Sequence, residues 1–175
     1  ENSDMRQHYE DAWGRSLDPV KGLTVVEIMN AINDGDISGM YIMGENPAMS
    51  DPDQRHARHA LSKLDNLVVQ DIFFTETAWF ADIIFPASAQ AEKLGTYTNS
   101  NRQIQLGRPV LEMPGDARQD WELIVDLAKR CGLKWEYDSV SDVYKEMASH
   151  MRSLDNISWD RLEKEGSVCY PSFGP

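Results

Sequence analysis

Residues 40–98, MYIMGENPAMSDPDQRHARHALSKLDNLVVQDIFFTETAWFADIIFPASAQAEKLGTYT, decide the fold. Two short apolar runs each end in a polar cluster: residues 40–43 enter Gly44-Glu45-Asn46-Pro47, and residues 67–69 enter Gln70-Asp71. Between them, Ser50-Asp51-Pro52 sets a capping residue before a proline, a start signal for a helix reaching about Leu64. Ala57, Ala60, Leu61 and Leu64 make its inward face. Such a strand–helix–strand unit pairs its strands in parallel and brings both polar clusters to one sheet edge. Open α/β sheets bind ligands at that carboxyl edge. The strands are expected at 39–43 and 66–70, with a third at 82–85 stopped by Pro86. Thr75 is expected to start a short helix between the second and third.

Working outward, Thr24 and Glu27 form a capping box for a helix whose apolar face is Val25, Ile28, Met29 and Ile32. Gly35 ends it as a C-cap. The flanking Asp34 and Asp36 lack the further ligands of a calcium loop, so this is a helix-to-strand turn. Beyond residue 98, Tyr97 and residues 103–106 read as extended, and Pro114-Gly115 as a turn. Residues 120–130 form an amphipathic helix, with Trp121, Ile124, Val125, Leu127 and Ala128 available for burial. Ser141 is expected to cap a helix carrying Val143, Tyr144, Met147 and Met151, and a last helix spans 158–165. The expected architecture is α/β: a Rossmann-like three-layer fragment with a short parallel sheet, followed by a mainly helical C-terminal part. Residues 1–22 are an irregular lead-in, 23–132 the α/β region, and 133–175 a helical extension with a linker tail from Cys169.

Composition narrows the function. The chain has 175 residues and a net charge of -12. Without a basic patch, binding to nucleic acid or an anionic membrane is not expected. No apolar run approaches the ~20 residues of a spanning helix. Glu1-Asn2-Ser3-Asp4 carries no basic n-region, so it does not read as a signal peptide. Cys131 and Cys169 form no CxxC and no zinc spacing. They read as a buried thiol at a helix end and a loose thiol near the C-terminus, which fits a reducing, cytoplasmic setting. His56 and His59 stand at i and i+3 with no third ligand spaced to join them, so they read as a solvated helix face and not a metal site.

At the carboxyl edge, strand one delivers Gly44, Glu45 and Asn46, and strand two delivers Gln70 and Asp71, with Thr75 following. Strand three leads to Ser88, Glu92 and Lys93. Asn46 offers a donor and an acceptor. Asp71 or Asp120 can accept from ribose hydroxyls or from the N1–H and N2–H₂ edge of guanine. Lys93 can neutralise a phosphate. These chemistries suit a nucleotide, although GxGxxG and GxxxxGK[ST] are both absent. Neither cysteine has a neighbouring base, and Ser88 is not in a GxSxG elbow. No catalytic set emerges, and the residues describe a binding domain.

Four segments, GENPAMSDPDQRHARHAL, LVVQDIFFTETAWFADIIFPAS, AEKLGTYTNSNRQIQ and PGDARQDWELIVDLAKRCG, resemble the large subunit of molybdopterin-dependent formate dehydrogenases, in the dimethyl sulfoxide reductase superfamily. The likeness runs from about Gly22 to the C-terminus. It departs at Asn101-Arg102-Gln103, where the family usually has an acid before a double arginine. The resemblance implies that the chain contributes to a site for bis-molybdopterin guanine dinucleotide, with molybdenum or tungsten. Carried over motif by motif, it implies contacts from Asn46, Gln70, Asp71, Lys93 and Asp120, and more weakly from Glu45 and Thr75.

The family's metal-ligating cysteine or selenocysteine and its iron–sulfur cysteines lie upstream of this stretch. The chain is therefore expected to be a middle fragment, inactive alone, whose partners are the other domains of the parent and its electron-transfer subunits. Iron–sulfur clusters belong to the parent only. The parent would oxidise formate to carbon dioxide and pass electrons to those clusters. The alternatives are a fragment of another molybdopterin oxidoreductase, such as nitrate reductase, and a stand-alone nucleotide-binding or interaction module.

Overall fold

The computed structural model describes residues 3–174, so Glu1, Asn2 and Pro175 of the expected lead-in and tail lie outside the described residues. Helices α1 (Ser3–Trp13) and α2 (Val25–Asp34) lead into strand β1 (Gly39–Met43). Helices α3 (Pro47–Ser50) and α4 (Gln54–Leu61) follow, then β2 (Asn66–Asp71) and β3 (Ile83–Pro86). β4 (Gly95–Thr98) and β5 (Gln103–Gly107) precede α5 (Asp120–Arg130), α6 (Val140–His150), α7 (Trp159–Glu165) and β6 (Ser167–Cys169). The class is the expected α/β. β1, β2 and β3 form a parallel sheet in that order, with Met43 beside Gln70 and Gln70 beside Phe85.

Local chemistry explains α2. The Thr24 hydroxyl accepts from the Glu27 N–H, and the Glu27 carboxylate accepts from the Thr24 N–H at 2.6 Å. Gly35 ends the helix at φ 88, a left-handed conformation that costs glycine little. Met29 and Ile32 pack on Ala57 and Ala60 of α4, all but sealed from solvent. Ile42, Leu67 and Val69 fill the space between the sheet and the α3–α4 segment. The small alanines let α2 and α4 approach closely.

Several expectations are corrected. Residues 3–13 are helical, yet no residue of α1 is buried, so an apolar-period reading could not detect it. The helix expected from Ser50 is two helices. Pro47 opens α3 at its first turn, Asp51-Pro52 interrupts, and Asp53 caps α4 by accepting from the His56 N–H at 3.0 Å. The short helix after Thr75 is a 3-10 turn over Ala78–Phe80. The cap of α6 is Ser139 and not Ser141. In α5, Leu123 is buried while Leu127 is exposed, and the Cys131 thiol is exposed.

The tail is no loose linker. Val168 pairs with Ile104 in a second, antiparallel sheet ordered β4-β5-β6, and the Ser172 carbonyl accepts from the Asn156 N–H at 3.2 Å. Ile104, Tyr144, Ile157, Trp159 and Leu162 are buried together in its core.

Candidate functional site

The polar clusters foreseen at the ends of β1 and β2 lie beside each other, because the two strands end in register. Gly44 turns the chain out of β1 at φ 65, a conformation that favours glycine. Gln70 is the most consequential residue here: it is completely buried near the end of β2. A buried amide must have partners. Its carbonyl oxygen accepts from the Tyr41 hydroxyl on β1. Its amide nitrogen donates to Asp120 Oδ1 at 2.7 Å.

Asp120 arrives from far along the chain. Arg118 lies alongside the end of β3, where its N–H donates to the Pro86 carbonyl at 3.1 Å. The Ser88 N–H in turn donates to the Arg118 carbonyl at 3.0 Å. This short parallel bridge starts α5 at the rim, with Asp120 in its first turn. The helix dipole favours a carboxylate in that position. Lys93 reaches in from the segment before β4. Its ammonium pairs with Asp120 Oδ2 and donates to the Ser88 carbonyl at 3.0 Å. Gln70, Lys93 and Asp120, three of the expected site residues, thus form one connected network. The hydroxyl proton of Tyr41 is held more tightly than usual, first by burial and second by the Asp120 charge.

Asn46 belongs to a second cluster. Its carbonyl oxygen accepts from the Thr77 N–H at 3.1 Å and from the Thr77 hydroxyl at 2.8 Å, and its amide donates to Glu76 at 2.7 Å. The Glu76 carboxyl titrates below its ordinary range, chiefly because of that Asn46 bond. Thr77 is buried and also accepts from the Ala48 N–H at 3.1 Å, tying α3 to the loop after β2. Asp71 shapes its own turn: Oδ1 accepts from the Ile72 N–H at 2.7 Å and more weakly from the Phe73 N–H at 3.3 Å. Thr75 Oγ1 accepts from the Ala78 N–H at 3.4 Å. Glu45 is exposed at the other end of the rim, lining a groove beside β1.

Sequence reading missed Tyr41, which looks like an ordinary apolar strand residue, and Thr77, whose partner Asn46 is 31 positions away. The only signal was alternation, which puts Tyr41 and Met43 of β1 on the same face as Gln70. His56 lies on α4. It meets the Asn33 side chain at 2.9 Å, and no metal-binding cluster occurs among the described residues. No helix among them is long and apolar enough to cross a membrane.

The chain is 43% identical over 160 residues to the F420-dependent formate dehydrogenase subunit alpha of Methanocaldococcus jannaschii, covering 90% of this chain and 24% of that protein. It is 38% identical to the assimilatory nitrate reductase catalytic subunit of Bacillus subtilis, covering 98% of this chain and 25% of that one. The chain therefore spans about a quarter of the length of these relatives. Acetylene hydratase from Pelobacter acetylenicus shares the fold at a TM-score of 0.68 and 20% identity, over 96% of this chain and 24% of that one. The family model for molybdopterin oxidoreductases matches residues 7–130, and the chain belongs to the molybdopterin oxidoreductase family.

Proposed function

We propose that the carboxyl rim of the parallel sheet helps to hold the guanine dinucleotide end of a bis-molybdopterin guanine dinucleotide cofactor, inside the large subunit of a formate dehydrogenase. The observation that carries this reading is the convergence of Gln70, Lys93 and Asp120 at the ligand-binding edge of an open α/β sheet. The free valences at the rim fit a nucleotide. Lys93 uses two of its three ammonium protons on Ser88 and Asp120, which leaves one for a phosphate oxygen. Ser88 Oγ is buried without a hydrogen-bond partner. Asp71 commits Oδ1 to its own turn and keeps Oδ2 for the donor edge of guanine or for a ribose hydroxyl.

In this reading Gln70 orients Asp120, and Asp120 holds Lys93 in place. Asn46 fixes the loop that carries Thr75, and Glu45 borders the rim. The bound metal, molybdenum or tungsten, supplies the two-electron chemistry; this chain binds and orients. The full-length polypeptide oxidises formate to carbon dioxide and passes the electrons to its iron–sulfur centres and partner subunits. The formate dehydrogenase relative supports formate as substrate. The nitrate reductase relative supports a second reading, in which the same rim serves a nitrate-reducing parent. The two free cysteines support a reducing, cytoplasmic setting.

Titration of the chain with GMP or GDP, followed by amide chemical shifts, tests the rim. Shifts centred on Gln70, Asp71, Lys93 and Asp120 are expected; shifts scattered elsewhere would overturn the assignment. Turnover of the full-length polypeptide with formate and a dye acceptor tests the substrate, and turnover with nitrate instead would favour the second reading. The chain alone should turn over neither.

A further inference from the structure

The loop that leaves β2 carries three exposed aromatic residues, Phe73 at 72%, Phe74 at 60% and Trp79 at 75%. A single exposed ring is ordinary on a protein surface. Phe73 differs in how firmly it is placed and in what stands beside it. Asp71 ends β2, and its carbonyl accepts from the Ala87 N–H at 3.0 Å, so the turn starts from the sheet. Asp71 Oδ1 then accepts from the Ile72 and Phe73 N–H groups. The Phe73 carbonyl accepts from the Thr75 N–H at 3.1 Å, and Thr75 Oγ1 accepts from the Ala78 N–H. The main chain of Phe73 is thus held on both sides of its Cα. Phe74 and Trp79 are taken up by each other, with ring centroids 5.1 Å apart and planes at 75°. Phe73 pairs with no other ring among the described residues and offers a free aromatic face on a fixed turn.

The same turn carries the Asp71 carboxylate. A carboxylate alone reads a base weakly, because each hydrogen bond it makes replaces one to water. An aromatic face supplies what the edge contact lacks. It takes the π-face of the base out of water, and proteins that select unpaired bases combine an edge contact with a stacked ring. Two residues of chain span at most about 7 Å. A guanine whose N1–H and N2–H₂ edge meets Asp71 therefore lies within reach of the Phe73 ring.

We propose that Phe73 is the stacking platform for the guanine base, while Asp71 reads the edge of that same base. The proposal rests on reading the rim as a guanine-nucleotide site, and it adds the residue that binds the face of the base. The two roles are separable. Stacking tolerates any base, so Phe73 supplies affinity, and the Asp71 carboxylate, which only accepts, selects the donor edge of guanine.

GMP binding to the full-length polypeptide, isolated without its cofactor, tests the platform. Phe73→Ala should weaken GMP about 5- to 150-fold. Phe73→Tyr keeps the ring and should bind GMP as the wild type does. The guanine H8 proton should move upfield, by ring current, on binding to wild type and to Phe73→Tyr, and should not do so with Phe73→Ala. The Phe73 side chain is mostly in solvent and the turn is held through its main chain, so each variant should keep the wild-type unfolding midpoint. Unchanged GMP affinity in Phe73→Ala, an unmoved H8 resonance in the wild type, or a loss that follows Trp79→Ala instead would overturn the platform alone. A wild type that binds no GMP would overturn the guanine reading of the rim, and the platform with it.

Discussion

The two three-stranded sheets of this chain solve opposite problems. The antiparallel sheet is closed by α6 and α7, and large side chains such as Ile157, Trp159 and Leu162 fill the space beneath it. The Tyr144 ring meets Trp159 edge-on, and its hydroxyl donates to the Ile157 carbonyl at 2.6 Å. The parallel sheet packs Ile42, Leu67 and Val69 against Ala48 and Leu61, α2 sits on α4 through Ala57 and Ala60, and the carboxyl rim is polar. Both regions have buried apolar cores, and the second also carries the polar network of the rim. The junction falls between consecutive residues: Lys93 reaches back to Asp120 at the rim, while Leu94 packs against the other core.

The largest expected effect lies in the closed region. Leu162→Ala removes a completely buried side chain and should cost about 2–5 kcal/mol, read from the urea midpoint. A loss below about 1 kcal/mol would break the comparison, since Leu162 would then not belong to a closely packed core.

A smaller effect belongs to the rim. Lys93 and Asp120 are 23% and 31% exposed, between a surface pair and a buried one. A double-mutant cycle with Lys93→Met and Asp120→Asn should therefore give a coupling of about 1–2 kcal/mol. Coupling near zero would show that the two charges are held apart for a ligand instead of for each other.

The smallest effect sharpens the comparison at the helix that supports the parallel sheet. Thr24→Ala should cost about 1 kcal/mol through loss of the cap. The other half of the box depends on pH. The Glu27 carboxyl titrates below its ordinary range because it accepts from the Thr24 N–H and, secondarily, from the Thr24 side chain. Its folded pKa thus lies below its unfolded one, so its contribution is present above the ordinary glutamate range and disappears as the pH falls through the folded value. The gap between wild type and Glu27→Ala, followed by thermal unfolding, should narrow on acidification. A gap constant with pH would remove Glu27 from the box.

Much was legible in the residues. Apolar runs on consecutive positions mark β1 and β2, but they suggest burial on both faces of β1, whereas Tyr41 and Met43 are exposed on one of them. Thr24, Glu27 and Gly35 bound α2 through bonds that span only a few positions. The polar ends of the strands locate the rim. The misreadings have local causes. α1 buries nothing, and the Asp51-Pro52 interruption sits beside an equally good start at Pro47. β6 is a three-residue strand whose partner Ile104 lies far back along the chain.

The amino-acid sequence by itself determined the three parallel strands, their order of appearance and the polar chemistry at residues 45–46 and 70–71. Only the tertiary structure decided that Gln70 is sealed from solvent, that Tyr41 holds one end of its amide, and that Asp120, 50 positions away, receives the other. The physical reason is one of range. Period and capping act within a turn or two of chain, whereas a buried amide takes its partners from whatever the folded sheet brings beside it.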